Sequence, residues 1–354
     1  HAHMDHCGYL PRLYRNGFRG PIYCSKGTAQ LADVILKDAA FLEEEQAEYA
    51  RKTGYSRHEN PEPLFRVADA EKVLDLFRPI DRHDWHEVAP DLSIKLLRAG
   101  HIAGASIIQL RFADDVLPRT ISFSGDLGND RSMILRGPEP IDNTDVLVLE
   151  STYGDRLHSE ESGLDMLGRY LAPVLKKGGI AIIPAFAVGR SQELIYLISC
   201  LERSGTIPKV PVILDSPMAK KALNIFLDRK EDHLCHSLQG ESNFFPENFR
   251  IVETAEESMK ACRMDGPAIV ISASGMLSGG RVLHHLKQRL PDPRNIVILT
   301  GYQAEGSKGR YLQDHASTSG FLRIHHQEVS VAAQIVSIDS LSCHADYKEM
   351  LVWL

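Results

Sequence analysis

His1-Ala2-His3-Met4-Asp5-His6 opens the chain. Three imidazoles and one carboxylate packed this densely are not explained by core packing, because polar rings are costly to bury without partners. They suit a metal site. In an extended segment residues two apart share a face, so His1 and His3 can converge on one cation. Asp5 and His6 then face elsewhere, toward a second. Imidazole nitrogen with carboxylate oxygen and no paired thiolates suits zinc, or less often manganese or iron. An affinity tag would be an unbroken histidine run, which the interleaved Asp5 argues against.

The surrounding composition is that of a folded globular protein. The chain has 354 residues, 43% hydrophobic and 25% charged, enough for one large or two medium domains. The longest apolar runs, such as Ile180 to Val188, fall far short of a membrane span and are broken by Pro184. A formal charge of -7 provides no global basic field, so contact with nucleic acid would rest on a local groove and on bound cations. Cys7, Cys24, Cys200, Cys235, Cys262 and Cys343 form no Cys-x-x-Cys pair, which argues against a thiolate zinc knot and against a disulfide framework. The expected home is the reducing cytoplasm.

After the motif, Leu31, Val34, Ile35, Phe41 and Leu42 recur at helical spacing. They predict a long amphipathic helix from Thr28 to about Lys52, with Thr28 as N-cap and Gly54 past the end. Residues 55–66 read as a loop, and Asp69 caps a shorter helix running through Val73, Leu74 and Phe77. Short β-rich runs follow: Ser93 to Leu97, Ile107 to Phe112, Arg119 to Phe123 and Val146 to Leu149. From Ser162 the pattern becomes alternating helix and strand, with strands Ile180 to Pro184, Val212 to Leu214, Ala268 to Ser272 and Asn295 to Thr300. That alternation predicts a parallel sheet covered by helices. A boundary falls near residue 160, and a last strand-like run, Ala332 to Ile338, leads to Ser342-Cys343-His344-Ala345-Asp346.

Four islands carry further chemistry. His101, in Gly100-His101-Ile102-Ala103-Gly104 at a strand end, reads alone as an ordinary surface or core histidine and, behind the opening motif, as a third ligand for the first cation. Asp126, in Ser124-Gly125-Asp126, reads either as a turn residue or as a bridge between two cations through its two oxygens. Glu150, in Glu150-Ser151-Thr152-Tyr153-Gly154-Asp155, follows an apolar strand, where side chains of α/β proteins commonly face the site. His344 reads as ligand, general acid or buried bystander. Paired with Glu150 it would be held protonated, ready to donate to a leaving oxygen.

Together with Pro184-Ala185-Phe186-Ala187-Val188-Gly189-Arg190-Ser191-Gln192-Glu193, Ser272-Ala273-Ser274-Gly275-Met276-Leu277-Ser278-Gly279-Gly280-Arg281 and Thr300-Gly301-Tyr302-Gln303-Ala304-Glu305-Gly306, these islands resemble the β-CASP branch of the metallo-β-lactamase superfamily. They resemble the RNA-cleaving members related to the 3'-end processing endonuclease of messenger RNA more closely than ribonuclease J. The resemblance covers essentially the whole chain. It implies an α/β (α+β) fold: an αββα metallo-β-lactamase sandwich over 1–160, an inserted β-CASP α/β domain with a mainly parallel sheet over 161–328, and a return to the first domain over 329–354.

The resemblance further implies two Zn2+ per site, with Mn2+ as an alternative. His1, His3 and His101 would hold one, Asp5 and His6 the other, and Asp126 both. A hydroxide held by the cations would attack the phosphorus, with Asp5, Glu150 and His344 as catalytic residues and His344 protonating the departing ribose oxygen. The interior loops place Arg190, Ser274, Gly275, Gly279, Gly280, Arg281, Tyr302 and Arg310 as substrate contacts, since glycine-rich helix entries and arginines suit phosphate. The same glycines also suit plain strand-to-helix turns, and Phe186 and Tyr302 suit either base stacking or core packing. The expected activity is a zinc-dependent endoribonuclease acting in RNA processing or decay on single-stranded segments, with no membrane partner and with a homodimer compatible. A 5'-exonuclease, a DNA nuclease and a non-catalytic RNA-binding scaffold subunit are the alternatives. The family carries β-structure ahead of the motif and one more histidine ligand after the Ser-x-His-Ala-Asp segment. Both lie outside this chain, which is therefore expected to be an internal fragment, poorly stable or weakly active by itself.

Overall fold

The computed structural model describes residues 1–54, 56–113, 119–234, 243–315 and 320–354. Tyr55, at the start of the expected 55–66 loop, and Cys235 lie outside them. No helix among the described residues is long and apolar enough to cross a membrane.

Two sheets organise the molecule. The first has five strands in the order His86–Ala89, Leu92–Arg98, Ser106–Phe112, Arg119–Phe123 and Val146–Val148. Its first three pairings are antiparallel and its last is parallel. Leu92–Arg98, Arg119–Phe123 and Val146–Val148 therefore run the same way, and the chain leaves all three at one edge, carrying His101, Asp126 and Glu150 with it.

The second sheet has six strands, all parallel, in the order Phe249–Ile251, Val212–Asp215, Ala268–Ser272, Ile180–Pro184, Ile296–Leu299 and Gln334–Ser337. The two central strands, Ala268–Ser272 and Ile180–Pro184, are buried throughout, as a parallel sheet covered on both faces requires. Successive residues feed opposite faces: Ala181 and Ile183 pack with Leu171, Leu194 and Ile198, whereas Ile180 and Ile182 pack with Leu283, Leu286 and Leu312. Parallel strands share one C-terminal edge, so the loops starting at Ala185, Ala273 and Thr300 gather there. Gln334–Ser337, in the segment expected to return to the first domain, pairs with Ile296–Leu299 in this sheet and delivers His344 to the same edge.

The long helix spans Lys26–Thr53 and buries Leu31, Ala32, Ile35, Leu36 and Ala40 on one face. Its N-cap is Ser25 rather than Thr28: Ser25 Oγ accepts from the Thr28 N–H at 3.1 Å. Both hydroxyls donate to the Gly104 carbonyl, at 2.6 and 2.9 Å, so this helix start clasps the loop that carries His101.

Two further local readings are corrected. The shorter helix is Val67–Leu74, where Asp69 sits at the third position and accepts from the Arg66 N–H at 2.9 Å. Phe77 lies beyond it, in Phe77–Pro79, which pairs in parallel with Ile22–Cys24; this non-local pairing overrides helical spacing. An antiparallel hairpin, Phe321–Ile324 with Gln327–Ser330, was not anticipated.

Candidate metal centre

His1 and Ala2 are non-helical and His3 is extended, while Met4–Cys7 forms one helical turn. The predicted extended geometry thus holds only up to His3. Beyond it the turn carries Asp5 and His6 to the other oxygen of Asp126, with the His6 ring 3.9 Å from that of His1, centroid to centroid.

His1 Nε2 lies 3.0 Å from His3 Nδ1, and His101 Nε2 lies 3.3 Å from the same nitrogen. Asp126 Oδ2 is 3.5 Å from His1 Nε2 and 3.6 Å from His101 Nε2. A tetrahedral zinc with bonds of about 2.05 Å separates its donors by roughly 3.3 Å, so the four spacings match those of a shared cation. Burial lowers the His3 pKa to about 4 and that of His101 well below its ordinary value, which leaves both rings neutral with lone pairs to offer.

Asp126 turns its other oxygen outward, where Oδ1 meets His6 Nε2 at 3.2 Å. Asp5 Oδ2 lies 3.7 Å from His6 Nε2 and is mostly exposed. Asp5, His6 and Asp126 have donor atoms within 4.8 Å of one another, as do His1, His3, His101 and Asp126. Burial pushes the Asp126 pKa up, but the His6 hydrogen bond and the nearby His101 and His344 rings outweigh it and hold it at about 2. One carboxylate therefore joins two donor groups. Nitrogen and oxygen donors without a thiolate fit zinc or manganese; the Cys7 thiol is turned toward the Ala2 carbonyl at 3.3 Å.

Glu150 and His344 complete the cluster. His344 Nδ1 is 3.0 Å from Glu150 Oε2, and Glu150 Oε1 accepts from the Leu127 N–H. Burial lowers the His344 pKa, but the hydrogen bond and charge of Glu150, with Asp126 and Asp5, outweigh it and leave it raised. The His344 ring packs 4.5 Å from that of His101, centroid to centroid.

Sequence reasoning missed the residues that hold the His344 loop. Asn129 Nδ2 donates to the Ser342 carbonyl at 2.6 Å, and His158 Nε2 pairs with the His344 carbonyl at 2.8 Å. His158 lies close after Glu-Ser-Thr-Tyr-Gly, and that position was its only signal.

All three arginines expected to contact phosphate are engaged with carboxylates. Arg190 is buried, 2.5 Å from Glu193 Oε2 and 3.2 Å from Cys343 Sγ. Arg281 donates to Asp215 Oδ1 at 2.8 Å and to the Glu253 carbonyl. Arg310 pairs with Asp314 one turn along its helix; this exposed pair is weak enough to exchange. Ser274 Oγ accepts from the Ser278 N–H, and Gly275 packs closely against Phe186. Gly279 faces open space, whereas Gly280 turns the chain at φ +81° beneath the Ala273 carbonyl. Tyr302 is 58% exposed and Phe186 46%, so neither ring serves the core.

A Beta-Casp domain family model matches residues 191–312. "Ribonuclease TTHA0252" of Thermus thermophilus is 36% identical over 360 residues, covering 100% of this chain and 77% of that protein. "Transcription termination factor FttA" of Pyrococcus horikoshii is 33% identical over 372 residues, and that of Methanocaldococcus jannaschii 30% over 375. The chain spans about half the length of these two relatives, 53% and 55%. With this similarity along its whole length, the chain belongs to the β-CASP family of the metallo-β-lactamase superfamily.

Proposed function

We propose that the protein is a hydrolase acting on RNA: a zinc-dependent endoribonuclease of RNA processing or decay, built on an αββα sandwich with an inserted β-CASP domain. The observation that carries the reading is the position of Asp126. One of its oxygens lies within 3.6 Å of two buried imidazoles and the other 3.2 Å from His6, beside the Glu150–His344 pair. The similarity to a protein named ribonuclease supports RNA as substrate.

His1, His3, His101 and Asp126 would hold one cation, and Asp5, His6 and Asp126 a second. Bound there, the cations supply Lewis acidity toward water and the phosphate oxygens. The chain's own residues do the rest. Neutral, buried His3 and His101 present lone pairs without competing protons. Glu150, anchored by the Leu127 N–H, fixes the His344 ring through Nδ1 and favours its protonated form. The other ring nitrogen is left to give a proton to the departing ribose oxygen. Exposed Tyr302 and Phe186 flank the edge where RNA bases would stack.

The donor set argues against a non-catalytic scaffold, for which no such convergence is needed. The test offers circular and linear RNA, and the corresponding DNAs, to the metal-loaded protein. Cleavage of circular RNA is expected. Linear RNA degraded from its 5' end with the circle intact, or cleavage of DNA alone, would overturn the endoribonuclease reading.

A further inference from the structure

The turn Gly189–Arg190 touches the neighbours of two site residues at once. Gly189 takes φ +82°, and a Cβ placed on it would come 2.8 Å from Cγ2 of Ile102, the residue after His101. Arg190 begins the helix Arg190–Arg203 and extends its guanidinium to Cys343 Sγ at 3.2 Å, one residue before His344. Its other amino group meets Glu193 Oε2 at 2.5 Å, and both side chains are nearly enclosed. Gly189, Glu193 and Cys343 line, with His101, a cavity of only about 10 Å³, room for no more than one water.

Among the described residues, the other ties on Ser342–His344 come from residues before 160: Glu150 on the ring, Asn129 and His158 on the backbone, and the bridge from Gly128; earlier in the loop, Ser340 meets Met166. Arg190 supplies a side-chain tie from the helix that enters the Beta-Casp segment.

We infer that Arg190 is a positioning residue, which acts through Cys343 to hold His344 over the leaving oxygen and so couples the inserted segment to the reaction centre. This rests on the ribonuclease reading above. It replaces the expectation that Arg190 grips substrate phosphate, because a guanidinium enclosed between Glu193 and Cys343 has no face left for a ligand. A displacement of about 1 Å in a catalytic group costs up to about a hundredfold in rate. The effect therefore belongs in turnover and not in binding.

The test uses R190K, C343A and R190K/C343A on two substrates. Lysine keeps a charge beside Glu193 for folding but lacks the planar fork that also reaches Cys343. RNA needs a proton on its leaving group; bis(p-nitrophenyl) phosphate releases nitrophenolate without one. The expected result for R190K is RNA turnover down about tenfold or more with KM within about twofold. Aryl diester turnover and bound metal stay near wild type, and the double variant is no worse than R190K. Three results overturn the inference: KM for RNA rising at constant turnover, both substrates falling alike, or the two substitutions multiplying. A wild-type protein that hydrolyses the aryl diester but not RNA removes the ribonuclease reading itself, and the wild-type arm alone reveals that.

Discussion

Nδ1 of His344 lies 3.0 Å from Oε2 of Glu150, across 194 residues of chain. The two strands that deliver them belong to different sheets, Val146–Val148 to the five-stranded one and Gln334–Ser337 to the parallel one. The contact therefore reports that the C-terminal edges of both sheets meet at the site.

If His344 is the proton donor, H344A should lower RNA turnover by about 10²-fold or more while bound metal stays near wild type. E150Q should show a smaller loss in the same direction, since it keeps the ring's neighbour but removes the charge. Steady-state kinetics beside metal analysis checks this. Loss of metal in H344A would assign the ring to coordination.

Asp215 ends the strand Val212–Asp215. It is fully enclosed and accepts from Ser258 Oγ at 2.6 Å, His285 Nε2 at 2.7 Å and Arg281 Nη1 at 2.8 Å. Burial pushes its pKa up, but the bonds from His285, Ser258 and Arg281 outweigh it and leave it lowered. A lowered carboxyl pKa adds stability above the unfolded value, and that stability fades as pH falls through the folded one. D215N should cost roughly 3 kcal/mol at neutral pH, as for a broken buried pair. In urea unfolding the gap to wild type should narrow once the pH drops below the ordinary carboxyl range.

Gly189 and Gly178 both have positive φ, +82° and +76°, but no heavy atom lies within 4 Å of a Cβ added at Gly178. G178A should cost about 1–2 kcal/mol of backbone strain and leave metal affinity alone. G189A adds a collision with Ile102, so it should also weaken metal binding through His101. Thermal unfolding combined with zinc titration separates the two effects.

Much of this was legible in the sequence. Ile180–Pro184 and Ala268–Ser272 read correctly to the residue, because fully buried β-branched runs between glycine-rich turns have few other readings. The long helix was legible from its apolar stripe. What sequence did not show was long-range company. Phe77 continues a helical spacing, yet pairs with a strand some fifty residues earlier. Arg190, Arg281 and Arg310 read as phosphate contacts, yet each meets a carboxylate. For Arg190 the partners close the guanidinium in the fold; Arg281 is held by Asp215 yet stays partly exposed, and for Arg310 the partner is a neighbour on its own exposed helix face. The six opening residues revealed their chemistry but not their turn, in which the His6 and Cys7 N–H groups close on the His3 carbonyl.

The most direct test is the number of zinc ions bound per chain in wild type and D126N. About two per chain in wild type, with loss at both positions in D126N, is the predicted result, since one carboxylate faces both donor groups. A wild-type protein that binds no zinc or manganese, or a D126N protein that keeps its full complement, would contradict the account.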